Sequence, residues 1–400
     1  MVDALPGSIK DLRDEEPWDF YETRRAQGQV VWDVPAKAWL VLGYDEAAYV
    51  ERNEGIFAET TAALPGADRL THPREFRLLN GEPHRVLHKF LSQLWAPSAF
   101  EQYRTPVVRR IIDERIANFR HRGEAELWSD FASIVPIAVV AELIGLPSDD
   151  DEQLRACKDW TEAVLLWRHT YGEDRAVVDA AADASGRLDP FIGPIISARR
   201  ERPTGDLISR LWEVGPTIFP DWGEEDILAN VKPLFEAGSD TSSNLICSVL
   251  YAVLTDESIR TAVRNGGEPL IRLIEETLRL RTVVHWRARV AMRDVELGGV
   301  SIRAGDRVHP VNAAANRDPR RYDHPDQMDL GRKGYFSHLA FNVGPRQCAG
   351  SPIARMEAYE SVLAMLGSLP DLRLDTSQEP PRYLGYVVRS YRPLHVLFTA

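Results

Sequence analysis

The sequence predicts a mainly α protein with a small β region. Apolar residues recur at helical spacing through three long stretches, Phe100 to Phe119, Leu127 to Ile144 and Glu224 to Leu254. Strand-like runs are few and short. The 400 residues, 44% hydrophobic and 27% charged, suit a large core. Length alone allows two or three domains. No Gly/Ser tract, low-complexity run or fixed repeat marks a boundary, so one domain over residues 1–400 is expected.

In chain order, Pro17 to Gln27 predicts a short amphipathic helix. Val30 to Trp32 and Trp39 to Leu42 read as a hairpin around Pro35, and Asp45 to Arg52 as a helix. Thr60 to Arg74, with Pro65, Gly66 and Pro73, is irregular, and loops of this size are often functional. A helix then runs past His84 and His88 toward Trp95. The 127–144 stretch, nearly all apolar, stops at Gly145-Leu146-Pro147. Cys157 to Trp167 and Asp174 to Arg200 predict two more helices, as does Glu268 to Arg281. Strand alternation puts Arg287 and Arg289 on one side of the following segment. A hairpin is expected over Asp294 to Asp306, a helix from after Cys348 to about Leu369, and strands at Tyr383 to Val388 and Leu394 to Phe398.

A net charge of -12 argues against a nucleic-acid partner. The three cysteines, Cys157, Cys247 and Cys348, are far apart and odd in number. A disulfide framework or zinc site is therefore not expected, and a reducing cytoplasm is. Met1 to Trp18 is polar and acidic, without a signal peptide's apolar run or a membrane anchor.

Four constellations carry chemistry. Phe341-Asn-Val-Gly-Pro-Arg-Gln-Cys-Ala-Gly350 sets one cysteine in a turn at the start of a helix, where a thiolate is favoured. Two readings stand for Cys348 at this stage: a buried structural cysteine, or a thiolate on an iron that brings its own flat macrocycle. Ala237-Gly-Ser-Asp-Thr-Ser-Ser243 interrupts the apolar long helix with glycine, acid and hydroxyls. Gly238 opens room beside the helix in this reading, and Thr241 reaches the Ala237 carbonyl four residues back. The alternative there is an exposed polar patch. Glu276 and Arg279 share a helix face, as do His84 and His88; such pairs are commonly plain solvated residues.

The cysteine stretch resembles the haem-binding loop of the cytochrome P450 family. Phe341, Gly344, Arg346, Cys348 and Gly350 match, Ile353-Ala354-Arg355 stands for the next element, and Asn342 departs from the usual glycine. The long-helix centre resembles the family's oxygen-activation pattern, Glu276-x-x-Arg279 its buried structural pair, and Val311 to Pro319 a further family segment. The resemblance covers essentially the whole chain, with its motifs in order. It implies the mainly helical, triangular cytochrome P450 fold around haem b, with Cys348 as the axial metal ligand. It implies proton delivery to dioxygen by Asp240 and Thr241. It places Phe341, Arg346 and Gly350 at the cofactor, with His84, His88 and Arg289 toward the haem propionates, and it makes Glu276 and Arg279 structural.

The implied reaction is insertion of one oxygen atom from O2 into a lipophilic small molecule, by hydroxylation or oxidative dealkylation. Candidate pocket residues are Leu64, Leu79, Leu234, Ala237, Val284, His285, Trp286 and Val387. Electrons would come from a separate ferredoxin or flavodoxin, docked on Arg320, Arg321, Arg332, Lys333 and Arg355. A peroxide-driven enzyme of this fold and a haem-binding sensor are the rival readings.

Overall fold

The computed structural model describes residues 7–13 and 16–400. Eight residues of the polar N-terminal stretch noted above, 1–6 with 14 and 15, thus lie outside the described residues. The chain gathers into two compact units. The first comprises residues up to Thr60, Asn244–Cys348 and Asp371–Leu397. The second comprises Thr61–Ser243, Ala349–Pro370 and Phe398–Ala400.

The first unit holds the main sheet. Strand Val30–Asp33 pairs antiparallel with Ala38–Val41, which runs parallel to Arg307–Pro310. Arg289–Ala291 joins next, antiparallel, and Phe57–Glu59 closes the edge. One face buries Val30, Val41, Phe57, Ala291 and Val308 against Ala47, Ala48 and Val50 of helix Tyr44–Arg52. At about 25 cal/mol per Å2 of apolar surface, such burial dominates the stability of the unit. The expected hairpin forms between Val295–Leu297 and Val300–Ile302. Its two-residue turn, Gly298-Gly299, has positive φ at both positions, which glycine adopts without strain.

Glu276 and Arg279 are fully buried in this unit on helix Glu268–Leu280. Arg279 donates two hydrogen bonds to the Glu276 carboxylate, at 2.8 and 2.9 Å, and others to the carbonyls of Asn316, Pro325 and Gln327. Arg332 Nε and the Asp329 amide also donate to Glu276. A buried ion pair withstands its desolvation cost only when its remaining donors and acceptors are met, as they are here. Arg332 therefore ties the segment after Pro325 to this helix, and its burial removes it from the expected docking surface.

The second unit is helical. Its main helices are Gly81–Leu94, Arg110–Phe119, Val135–Ile144, Asp151–His169, Arg175–Glu201, Leu207–Ile218 and Ser351–Ser368, with most of the long Glu224–Thr255 helix. The expected helix over 100–119 is broken: a π-turn at Arg104–Arg109 precedes the regular part. The 127–144 stretch likewise begins with a π-turn at Trp128–Ala132, and its helix stops before Gly145, at φ 104. Helix Leu207–Ile218 has no counterpart in the sequence reading. Asp206 caps it by accepting from the Ser209 amide, and Pro216 within it obscures its pattern.

Candidate active site

The cysteine turn lies in the first unit. Cys348 is exposed, whereas Cys157 and Cys247 are buried, so the structural-cysteine reading suits the other two and not this one. The Cys348 amide donates to the Phe341 carbonyl at 2.9 Å and closes the turn. Gly344 has φ 83, and a Cβ there would stand 2.9 Å from Arg52 Cα, so the loop packs on helix Tyr44–Arg52 only through a glycine.

Three guanidinium groups accompany this turn within the unit. Arg346 Nε pairs with Glu54 at 3.0 Å. Arg289 is buried, with Glu51 at 3.7 Å. Arg287 donates to Asn342 Oδ1; burial lowers its pKa, and Glu51 and the Cys348 thiolate oppose that shift. One of its five N–H groups is thereby used, which leaves donors for an anion.

His285 occupies a different setting from the one expected. Its Nδ1 lies 2.9 Å from the Tyr21 hydroxyl and its Nε2 2.9 Å from the Tyr383 hydroxyl, fully buried. Desolvation, with Arg389, Arg317 and Arg281 nearby, pushes its pKa well down, so the ring is neutral. Both nitrogens are engaged, and neither is left for a substrate or a propionate. Trp286 is also buried, stacked on His309 at 4.6 Å. The Val387 carbonyl accepts from the His285 amide, and Val284 bridges Val388.

The second unit carries the acid–alcohol pair on helix Glu224–Thr255. Ala237 is exposed and Thr241 half-buried, while Phe235, Ser239, Asp240 and Ser243 between and beside them are buried. A narrow stripe of small residues thus opens on an otherwise buried helix. Thr241 Oγ1 donates to the Ala237 carbonyl at 2.8 Å. Gly238 serves closeness rather than room: a Cβ there would stand 2.6 Å from Val140 Cγ2 of helix Val135–Ile144. Asp240 accepts from Lys158 Nζ at 3.2 Å, and Lys158 also meets Glu162 at 3.1 Å. Burial pulls the Lys158 ammonium down, but Asp240 and Glu162 outweigh it and hold its pKa above the ordinary value. Lys158 is thus charged at neutral pH and anchors Asp240.

On helix Gly81–Leu94, His84 is buried with Phe76 stacked over it, and its ring lies 5.4 Å from that of the half-buried His88. Leu64, Leu79 and Leu234 are buried in the same unit. None of the expected pocket residues lines a cavity of about 250 Å3 in this unit. That cavity has apolar walls from Leu70, Val164, Leu188, Leu228 and Pro233. It also has a charged wall, where Glu236 pairs with Arg168 and with Arg77.

Glu357, on helix Ser351–Ser368, is the site residue that sequence reasoning missed. It is fully buried beside Ser242, and neither carboxyl oxygen has an aligned hydrogen-bond partner. Desolvation pushes its pKa up to about 8 against the lowering effect of Ser242. Its stabilising contribution is complete below the unfolded value of about 4.3 and is lost as pH rises to the folded value. Relative to Glu357→Gln, the native protein should therefore lose stability from about pH 4.3 to 8, by up to about 1.4 kcal/mol per pH unit. Denaturant titrations across that range test this, and parallel curves for the two proteins would refute it.

The donor set fits haem b. Among the described residues no group of three or more His, Cys, Asp or Glu side chains could hold a metal ion, whereas a single thiolate suffices for an iron that brings its own macrocycle. In the first unit Cys348 presents an exposed thiol, and Arg287, bonded to the same loop through Asn342, retains donors that suit a carboxylate. This turn suits a haem-thiolate protein.

The comparisons agree. A family profile described as Cytochrome P450 matches residues 269–380. Cytochrome P450 monooxygenase PikC of Streptomyces venezuelae is 32% identical over 374 residues, covering 90% of this chain and 86% of that one. Putative cytochrome P450 YjiB of Bacillus subtilis (strain 168) is 29% identical over 380 residues, covering 94% and 93%. The crystal structure of P450BioI with hexadec-9Z-enoic acid ligated acyl carrier protein superposes with a TM-score of 0.83. It is 27% identical, with 96% of this chain and 98% of that one covered. The chain belongs to the cytochrome P450 family. It has the P450 fold and is a haem b monooxygenase that uses O2 and a small-molecule substrate. No helix among the described residues is long and apolar enough to cross a membrane.

Proposed function

We propose that this enzyme inserts one oxygen atom into a lipophilic small molecule, by hydroxylation or oxidative dealkylation, with electrons from a separate ferredoxin or flavodoxin. The observation that carries this reading is the intact proton apparatus, Thr241 beside an Asp240 anchored by Lys158. An enzyme driven by peroxide, which already carries its protons, has less need of it. Haem b, which Cys348 would hold with Phe341, Arg346 and Gly350, would supply the redox chemistry of dioxygen cleavage.

The chain's own residues control the protons. The Thr241 hydroxyl, resting on the Ala237 carbonyl, can turn to donate or accept at the adjoining surface. Asp240 accepts protons from the solvent side and passes them on when Lys158 yields its hydrogen bond. Glu357 beside Ser242 holds a further proton on the neighbouring helix. Arg287 and Arg289 are the proposed propionate donors, and the resemblance assigns the same role to His84 and His88. A lipophilic body follows from the resemblance, and P450BioI, seen with a hexadecenoic acyl group, is a precedent. Exposed Arg320, Arg321 and Lys333 remain candidates for receiving an acidic carrier.

The test is a screen of lipophilic compounds for a spin-state shift. Hits are then incubated with ferredoxin, its reductase and reduced nicotinamide, or with hydrogen peroxide alone. Oxygenated product that requires the electron proteins is expected. Product from peroxide alone at equal rate would favour the peroxygenase reading. Shifts without consumption of any compound would favour a sensor.

A further inference from the structure

Asn342 stands where the cysteine loop of this family usually has glycine, and its backbone shows why that exchange is tolerated. Its φ is 58°, the left-handed region, which asparagine visits more readily than other side-chain-bearing residues. The side chain then does more than a glycine could. Asn342 is buried, and its Oδ1 accepts from the Arg287 guanidinium and, at 3.1 Å, from Asn312 Nδ2. Its own Nδ2 approaches the Arg346 carbonyl at 3.4 Å, two residues before Cys348. Asn312 Nδ2 also donates to the Leu339 carbonyl at 2.9 Å, so the start of the loop is held by the same junction.

We infer that Asn342 is a positioning residue that ties the Arg287 guanidinium to the backbone of the cysteine loop. A glycine at this position would keep the turn and lose the tie. The consequence is electrostatic. A guanidinium fixed near the thiolate draws on its negative charge, and a guanidinium free to swing does so less. Fixing that cation disfavours the more positive, oxidised iron; releasing it favours oxidation. The same tie restrains the backbone that carries the sulfur.

Asn342→Gly tests this without unfolding the loop, since glycine takes the left-handed conformation freely. The holoenzyme variant is expected to have a more negative reduction potential. Its reduced carbonyl adduct should lose the thiolate-type absorption about tenfold faster on warming, the effect of losing one or two hydrogen bonds. In the double variant with Arg287→Met, the change in potential should be no larger than in Arg287→Met alone, because Asn342 acts through that cation. An Asn342→Gly protein with unchanged potential and unchanged decay would overturn the inference. Fully additive changes in potential would overturn it too, by showing that Asn342 does not work through Arg287.

Discussion

Serine in place of Cys348 is expected to abolish oxygen insertion and to erase the long-wavelength Soret band of the reduced carbonyl adduct. The expectation rests on exposure and chemistry together. Cys348 is the exposed thiol among the three, in a turn closed by its own amide, and thiolate donation is what favours oxygen–oxygen cleavage in this class. A serine hydroxyl fits the turn but is a far poorer anion at neutral pH. Cys157→Ser and Cys247→Ser are the controls: both side chains are buried, and both proteins should keep the band even if less stable. A Cys348→Ser protein with the band intact would remove the basis for assigning the ligand. The band's loss in either control alone would point to another sulfur.

Asn in place of Asp240 should slow product formation by about 10^2-fold or more, the usual weight of a positioned acid–base group. Its kinetic solvent isotope effect should grow, because proton delivery becomes the slow step. The substrate-induced spin shift should persist, since Asp240 is buried against Lys158. Lys158→Met separates two explanations. If the lysine only braces the helices, turnover should follow stability. If it holds the carboxylate in readiness, turnover should fall in a protein that melts normally. Wild-type turnover and isotope effect in Asp240→Asn would remove this residue from the proton path.

The motifs were legible in the sequence because each depends on local spacing. Cys348 with its glycines, Asp240-Thr241 and Glu276-x-x-Arg279 are short patterns, and the long helix was found almost to its ends, at Glu224–Thr255. What stayed hidden depends on distant partners. His285 sits beside pocket positions in the chain, yet Tyr21 and Tyr383, 264 and 98 residues away, take both its nitrogens. Arg332 reads as a surface cation until Glu276 is found against it. Gly238 reads as open space until Val140 is placed there. Glu357 lies on a helix whose pattern gives no sign that its carboxyl has no cation, and Asn342 read as a mere departure from glycine.

The two units are each assembled from three separated stretches, and this bears on how the protein can be made. The first unit lacks a piece until Leu397 has emerged, and the second lacks helix Ser351–Ser368 until late in synthesis. No contiguous gene fragment encodes either unit by itself, so dissection by truncation should give insoluble products. On the ribosome, apolar faces must wait unpartnered for hundreds of residues, which exposes the nascent chain to aggregation and makes chaperone supply a practical limit on yield.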